Sequence, residues 1–207
     1  MFEIIDMDLK GIISIPYLKI EANKLTVILG PSGCGKTSLL KLLNKLISSD
    51  SGDIYYCGKN LKDINSLELR KEVVMLSQNS PLFPESIKDN LKAALNYHML
   101  PIPEDFELRE ILKQVGINKD LEDKVLFLSG GEKSRVVLAR VLVLDPQVYL
   151  LDEPGASLDE KTEIFITEML MDICQKKGKT MVMVTDSKEI ARKYGDVIID
   201  LKEYSRG

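Results

Sequence analysis

The stretch LTVILGPSGCGKTSLLKLLNKLIS, residues 25–48, decides the fold of this chain. Its first five residues form an apolar run that predicts a buried strand, and its later leucines follow the stripe of a helix about 18 Å long. Between strand and helix, Gly30–Thr37 fits the pattern G-x-x-x-x-G-K-[ST]. The backbone N–H groups of such a loop wrap phosphate groups, and the helix start adds a positive field. Strand, glycine loop and helix in this order favour a phosphate site over the alternative of a plain glycine turn.

The residues of this loop have distinct expected tasks. Lys36 would reach the outer phosphates, and the Thr37 hydroxyl would face a magnesium ion. Cys34 is interpreted as a small side chain that fills space, rather than as a reactive thiol at a helix start. The predicted nucleotide-binding residues are Gly30, Pro31, Ser32, Gly33, Cys34, Gly35, Lys36, Thr37 and Ser38.

Composition places the chain among folded globular proteins. Of its 207 residues, 44% are hydrophobic and 29% are charged, far from the composition of disordered chains. The chain has 28 basic and 32 acidic side chains, and this excess of negative charge argues against sequence-independent binding to nucleic acid phosphates. No nucleic acid partner is therefore expected.

Cysteines without C-x-x-C spacing and an N-terminus without signal-peptide features predict a cytoplasmic protein. The apolar stretches fall short of the roughly 20 residues that span a bilayer, so the chain is not expected to cross a membrane itself.

The rest of the chain alternates strand and helix patterns, which predicts an α/β fold with a doubly wound, mainly parallel sheet. Short apolar runs before residue 25 and a hairpin pattern over residues 48–61 predict further strands. Four prolines punctuate helical patterns between residues 79 and 127, which indicates a helical insert. We expect one domain over residues 1–207, with a core formed by 1–78 and 145–207 and a helical subdomain over 79–144.

Two adjacent carboxylates end the predicted strand VYLLDE, residues 148–153. A nucleotide site needs one acid for the magnesium shell and one for the attacking water. If strand geometry persists to the end, Asp152 and Glu153 point to opposite sides, with Asp152 toward the metal and Glu153 toward the water. A strand ending in acids is common by itself, and the phosphate loop is what favours the functional interpretation.

The segment LSGGE, residues 128–132, precedes a helical pattern of more than ten residues. Read alone, it predicts an ordinary helix N-cap with flexible glycines. The order in which the motifs follow one another is more informative: GPSGCGKT, Gln78 at a strand end, LSGGE, LLDEP and ASLD. This order resembles the ATP-binding cassette ATPases over essentially the whole chain. The resemblance implies a P-loop NTPase fold, with a RecA-like sheet, a small antiparallel β subdomain and a helical subdomain.

The resemblance also implies a role for each motif. Asp152 is similar to the Walker B acid, Glu153 to the general base, and Gln78 to the glutamine that joins magnesium and water to a membrane partner. The implied metal-binding residues are Thr37, Gln78 and Asp152. The implied signature residues, which act on the nucleotide of the other subunit, are Ser129, Gly130, Gly131 and Glu132. Asp159 matches the dimer-contact loop, in which Ala156 and Ser157 are swapped relative to the usual order.

The function implied by this resemblance is that of an ATP-hydrolysing transporter subunit. Two copies, or a pair of related subunits, would enclose two Mg-ATP molecules and drive a separate transmembrane permease from the inner face of the membrane. The stretch QNSPLFPESIKDNL, which begins at Gln78, resembles export-type members. The compact layout is similar to that of small bacterial ATPases assigned to iron or metal export.

Two positions depart from the family pattern. The chain reads VTDS at 184–187, so Asp186 stands where the family places a histidine among its catalytic residues, and we hypothesise slow or partner-dependent hydrolysis. The family also stacks adenine on an aromatic side chain near the first strands. Here the available aromatics are Phe2 and Tyr17, and both are interpreted as strand or core residues. His98 is interpreted as an exposed residue at a helix end rather than a metal ligand.

Three alternatives stay open at this point. A soluble cassette ATPase without a transport role would fit the same motifs, although no coiled-coil insertion or second cassette is visible. A nucleotide-sensing module with very slow hydrolysis would fit Asp186. A small-molecule P-loop kinase fits less well, because LSGGE and the adjacent acids have no role in that chemistry.

Overall fold

The computed structural model describes residues 1–156 and 158–204 and contains two β-sheets with helices packed around them. The strands are β1 (Phe2–Leu9), β2 (Ile13–Ile20), β3 (Leu25–Leu29), β4 (Ser51–Tyr56), β5 (Lys59–Asn60), β6 (Val73–Leu76), β7 (Val148–Asp152), β8 (Thr180–Val184) and β9 (Val197–Asp200). The helices are α1 (Lys36–Leu43), α2 (Ser66–Glu72), α3 (Ile87–Tyr97), α4 (Asp105–Gln114), α5 (Gly130–Leu142), α6 (Glu160–Lys177) and α7 (Lys188–Tyr194). Short 3₁₀ helices occur at Leu61–Asp63, Val125–Phe127 and Leu201–Tyr204.

The larger sheet has five strands in the order β6-β7-β8-β3-β9, and all of its pairings are parallel. Every residue of β7 and β8 is buried, as expected for strands with both faces covered. Helices pack on both faces of this sheet. The predicted doubly wound α/β sheet is therefore confirmed.

The smaller sheet is antiparallel, with the order β2-β1-β4-β5, and confirms the expected antiparallel β subdomain. Two of the short apolar runs before residue 25, GIISI and YLKI, are separated by Pro16 in the sequence, but the structure has one strand that continues through this proline. Because β2 lies at the sheet edge, the missing N–H of Pro16 is tolerated there. The register between β1 and β4 shifts between Ile5 and Asp8, where Asp6 adopts a φ of 47°.

Two hydrophobic cores lie on opposite faces of the parallel sheet. Along β8, Met181 and Met183 belong to one core, whereas Val182 and Val184 belong to the other, as the two-residue period of a strand requires. The first core joins the sheet to α3–α7, so the helical segment 79–144 shares a core with the sheet. The second joins the sheet to α1 and the antiparallel sheet.

Helix α1 is shorter than the sequence predicts. It ends at Leu43 after eight residues, or about 12 Å, because Lys45 adopts a left-handed backbone with a φ of 55°. Contacts from distant segments stabilise this end: the Arg70 guanidinium donates to the backbone oxygens of Asn44 and Lys45, and the Lys45 ammonium donates to the oxygens of Leu61 and Ile64. Leu46, which would continue the helical stripe, is exposed.

Candidate functional site

The carboxyl ends of four neighbouring parallel strands bring the predicted site residues to one edge of the sheet. β3 leads into the glycine loop, β6 into Gln78, β7 into Asp152 and Glu153, and β8 into Asp186. Ligands of open α/β sheets bind in a crevice at this edge. The parallel arrangement thus gathers residues that lie as far as 150 positions apart in the sequence.

The glycine loop reaches its shape through backbone conformations that side chains disfavour. Gly33 and Gly35 have φ values of 83° and 98°. A Cβ on Gly35 would lie 2.8 Å from Ile12 and 2.6 Å from Ile13, so the turn between β1 and β2 packs directly against the loop. The loop ends at Lys36, the first residue of α1, whose free N–H groups favour an anion.

The side-chain ammonium of Lys36 is fully hydrogen-bonded within the chain. Its ammonium donates to the backbone oxygen of Gly30 at 2.7 Å, to that of Pro31 at 3.3 Å and to Asp186 Oδ1 at 2.7 Å. Only 7% of the Lys36 side chain is exposed, against 63% for Asp186. All three ammonium protons therefore have partners within the chain.

Thr37 and Asp152 form the buried polar part of the site. The Thr37 hydroxyl lies 2.9 Å and 3.1 Å from the two carboxylate oxygens of Asp152, a residue that is only 3% exposed. Burial raises the pKa of Asp152, and the Thr37 hydroxyl partly offsets this by hydrogen bonding to the charged form.

These oxygen donors suit Mg²⁺, which prefers carboxylate, hydroxyl, phosphate and water oxygens. Within the described ranges, no group of three or more His, Cys, Asp or Glu side chains could hold a metal ion. Thr37 and Asp152 would hold Mg²⁺ together with water and nucleotide phosphate, as is usual for this ion.

Glu153 departs from the expected strand geometry. β7 ends at Asp152, and Glu153 adopts a left-handed backbone with a φ of 51° while its N–H donates to the Val184 oxygen at 3.1 Å. The expectation that Asp152 and Glu153 point to opposite sides of a continuing strand therefore does not apply, because the strand ends between them. Instead this turn places the Glu153 carboxylate beside Gln78, whose Nε2 donates to it at 2.7 Å.

The environment of Glu153 favours its neutral form. Burial is the largest cause of a raised pKa, and the nearby carboxylate of Asp186 raises the pKa further. A raised pKa makes the ionised carboxylate a stronger base near neutral pH.

The segment LSGGE forms an N-cap at the start of α5. Ser129 Oγ accepts from the Glu132 N–H at 3.3 Å, and the Glu132 carboxylate accepts from the Ser129 N–H at 2.8 Å. An added Cβ on Gly130 would meet no atom within 4 Å. Among the described residues, no hydrogen bond or ion pair joins Ser129–Glu132 to the glycine loop. The start of α5 is therefore capped by its own serine and glutamate, and it has open space beside Gly130.

Asp159 and the neighbouring loop are only partly described. The Asp159 carboxylate caps α6 by accepting from the Thr162 N–H at 3.1 Å and from its hydroxyl at 2.7 Å. The Thr162 hydroxyl is the main cause of a lowered pKa at Asp159. The swapped order of Ala156 and Ser157 involves Ser157, which lies outside the described residues.

The structure separates the candidate aromatic residues. Phe2 is buried and packs on Tyr56 with a ring distance of 5.0 Å, so it belongs to the core. Tyr17 is 52% exposed on β2, and its hydroxyl donates to Glu3. The side chains that lie against the loop are instead Ile12 and Ile13, which sequence reasoning missed because no local pattern marks the packing of one turn on another.

His98 follows the last residue of α3, as the sequence predicts. Its side chain is half-buried, with its ring 5.5 Å from that of Tyr97, and this burial lowers its pKa. This partial burial corrects the expectation of an exposed side chain.

A groove of about 540 Å³ separates the carboxylates from the helical segment. Its lining includes Gln78 and Glu153 on one side and Leu126 and Lys133 on the other. Elsewhere in the helical segment, Arg140 of α5 donates to the Pro81 oxygen at 2.6 Å, and its guanidinium lies 5.9 Å from the centre of the Phe83 ring. The groove contains no residue of the glycine loop, but Asp152, Glu153 and Gln78 line it, so it adjoins the Thr37–Asp152 contact.

The fold and this edge define a P-loop nucleotide-binding protein, and comparison with known proteins identifies the family. The sequence model of the family described as ABC transporter matches residues 15–156. The chain therefore belongs to the ABC transporter family and is one of its ATPase cassettes.

Curated relatives share about a third of its residues. The chain is 35% identical over 190 residues to the spermidine/putrescine import ATP-binding protein PotA of Borreliella afzelii, covering 90% of this chain and 54% of that protein. It is 36% identical to the phosphate import ATP-binding protein PstB 2 of Shouchella clausii, covering 86% and 70%. It is 35% identical to the lipoprotein-releasing system ATP-binding protein LolD of Nitratidesulfovibrio vulgaris, covering 84% and 77%. The chain thus spans about half to three quarters of the length of these relatives.

Solved structures show the same fold. A putative ABC transporter ATP-binding protein from Pyrococcus furiosus superposes with a TM-score of 0.86 at 25% identity, covering 99% of this chain and 98% of that one. An ATP-binding cassette solved as a dimer in a post-hydrolysis state bound to ADP and Pi gives 0.83 at 27% identity, covering 97% and 95%.

None of the helices within residues 1–156 and 158–204 combines the length and the hydropathy needed to cross a membrane.

Proposed function

We propose that this chain binds and hydrolyses Mg-ATP as the energy-supplying subunit of a membrane transporter. The observation that carries the proposal is the convergence of the glycine loop, the Thr37–Asp152 contact and the Glu153–Gln78 contact at one sheet edge. Phosphate binding, oxygen ligands for a metal and a general base are the parts that triphosphate hydrolysis requires.

The chain's residues divide the reaction between them. The loop N–H groups and Lys36 bind the outer phosphates, while Thr37 and Asp152, together with Gln78, would hold Mg²⁺. When bound, this ion neutralises negative charge on the phosphates. Glu153 Oε1 or Oε2 accepts a proton from the attacking water, and the Gln78 amide orients that carboxylate.

Pairing of two subunits follows from the open helix start at Ser129. Its serine and glycines do not reach the loop of their own chain, so they are available to the γ-phosphate bound by another copy. The dimeric cassette bound to ADP and Pi, which shares this fold, supports such pairing. Asp159, at the start of α6, would contribute to the same interface.

A transmembrane permease is the proposed second partner. Leu126 lines the groove beside Gln78 and is 67% exposed, and two further exposed apolar side chains, Phe83 at 52% and Phe127 at 80%, belong to the same helical segment. Exposed apolar patches of this kind mark protein interaction sites. A permease segment seated here would contact Gln78 directly, and the chain would act at the inner face of the membrane.

The cargo and its direction stay predictions. Motif resemblance favours export, with iron or another metal as the cargo. The relatives are named for import of polyamine or phosphate and for lipoprotein release, so they support the transport class without supporting a metal cargo.

Phosphate release from Mg-ATP tests the proposal. The parent is expected to release phosphate, and Glu153→Gln should reduce the rate at least about 100-fold, because removal of a general base costs 10²–10⁴ in rate. The matched control is Glu68→Gln, which makes the same change on exposed helix α2 and should leave the rate unchanged.

A second candidate is a nucleotide sensor with negligible turnover, favoured by the Lys36–Asp186 contact. Equal background rates for the parent and Glu153→Gln, with nucleotide binding intact in both, would favour the sensor over the hydrolase. Recovery of the chain with a multi-span protein from solubilised membranes would separate a transporter subunit from a cassette ATPase without a transport role.

A further inference from the structure

The contact between Lys36 and Asp186 places a carboxylate where a nucleotide phosphate is expected. Asp186 Oδ1 lies 2.7 Å from Lys36 Nζ, the length of a charge-assisted hydrogen bond. The same ammonium is the group that the loop pattern assigns to the outer phosphates. Nucleotide and Asp186 therefore compete for one cation.

The other two partners of Lys36 do not compete in the same way. The oxygens of Gly30 and Pro31 are neutral acceptors that belong to the loop itself. Asp186 is the charged acceptor, its side chain is 63% exposed, and it lies between β8 and α7. Of the three bonds, the one to Asp186 is thus the bond that an incoming phosphate most readily replaces.

If a phosphate displaced Asp186 from Lys36, the Asp186 carboxylate would still lie at the sheet edge where the phosphates are expected to bind. Its carboxylate is already close enough to Glu153 to raise the pKa of that residue. A triphosphate would bring more negative charge than a diphosphate to a place that already holds the carboxylates of Asp152, Glu153 and Asp186. Like charges in a partly buried site repel more strongly than they do in water.

We propose that Asp186 acts as an internal competitor for Lys36 and thereby sets the preference of the site for nucleoside diphosphate over triphosphate. This inference rests on the proposed nucleotide function and adds a specificity role to it. Asp186 acts here as an intramolecular anion, and the asparagine variant keeps its shape while removing its charge.

The experiment measures ATP and ADP binding by isothermal titration calorimetry in EDTA, where the absence of Mg²⁺ prevents turnover. Asp186→Asn should lower the Kd for ATP about ten-fold and that for ADP less than about three-fold, since only ATP carries the additional repelled phosphate. Asp186→Glu keeps the charge and should retain the parent's ratio of the two constants. Glu189→Gln, an equal change of charge three residues away in α7, is the matched control and should leave both constants unchanged.

The possible results of the calorimetry test the inference and the proposed function separately. A ratio of the ATP and ADP constants that is the same in the parent and Asp186→Asn overturns the inference while leaving nucleotide binding intact. Failure of both proteins to bind either nucleotide, with unchanged melting temperatures, overturns the proposed function and the inference with it. Binding of ATP by Asp186→Asn alone supports the inference in its strongest form.

Discussion

Asp152 and Glu153 are neighbours in sequence with the same chemical group but different surroundings. Asp152 is buried against Thr37, whereas Glu153 turns away through a left-handed backbone and accepts from Gln78. A left-handed conformation is unfavourable for a long side chain and is often found where function requires a particular direction. The turn lets one acid serve the buried oxygen cluster while the other faces the groove.

A pH-dependent contribution to stability is predicted for Glu132. Its hydrogen bonds with the Ser129 N–H and hydroxyl hold its pKa below the usual value, so the unfolded chain binds this proton more readily. The stabilisation is therefore present above the unfolded pKa and is lost as pH falls through the lowered folded pKa. Glu132→Gln should cost about 0.5 kcal/mol at pH 7, a small value because the carboxylate meets solvent.

Urea unfolding of the parent and Glu132→Gln at pH 7 and pH 3 measures this contribution. The gap between the two proteins should narrow at pH 3. Glu110→Gln, on the exposed face of α4, is the control for a general change of charge. A gap that widens on acidification would contradict the prediction.

At the residue scale, local sequence motifs predicted which side chains lie together in the site. They did not predict the contacts between those side chains. The glycine loop and the acids after β7 have patterns that sequence displays directly. The contact of Lys36 with Asp186 joins residues 150 positions apart and depends on the order of strands in the sheet, which local spacing does not contain. The Glu153 turn was missed because alternation describes only the strand that precedes it.

The end of α1 shows how a tertiary contact limits an element. Arg70 from α2 caps the oxygens of Asn44 and Lys45, which a continued helix would have used internally. The leucine period of the sequence runs past this point, so periodicity alone overestimated the helix. Strand and helix types elsewhere were predictable because their periods agree with their burial.

Removal of this cap should destabilise the fold without touching the phosphate site. Arg70→Ala removes two bonds from a charged donor to backbone oxygens and should lower the free energy of unfolding by about 1–3 kcal/mol. Urea denaturation gives the value, and nucleotide affinity should be unchanged. Lys71→Ala, whose ion pair with Glu68 is exposed, is the control and should cost less than about 0.5 kcal/mol. Equal losses in the two variants would contradict a capping role for Arg70.

At the scale of the whole molecule, the parallel sheet brings distant motifs to one edge and leaves the start of α5 apart from them. The apolar runs bounded by turn residues predicted the strands and the parallel sheet, whereas the separate antiparallel sheet was expected from the family resemblance. The sequence could not predict that the turn after β1 packs on Gly35, since that contact depends on how the antiparallel sheet sits on α1.

Nucleotide-dependent pairing is the prediction that belongs to this scale. Glu153→Gln with Mg-ATP should elute at twice the monomer mass in light scattering, because the nucleotide is retained and binds both copies. Adding Gly130→Ala should prevent pairing while leaving the monomer folded, since the extra carbon meets no atom within 4 Å of its own chain. Ser134→Ala, one turn further along α5, is the control and should still pair.

A protein that stays monomeric at every concentration with Mg-ATP would contradict this prediction. So would a Gly130→Ala double variant that pairs as well as Glu153→Gln alone.

The contact of Arg140 with Pro81 and Phe83 has a mechanical consequence. Arg140 and Ser129 belong to opposite ends of α5, about 16 Å apart along its axis. Both residues belong to one continuous helix, so a displacement of the Pro81–Phe83 segment would be passed through Arg140 to α5 and toward its Ser129 end. A partner that binds beside Phe83 would therefore be linked through a single helix to the proposed contact with the other subunit's triphosphate.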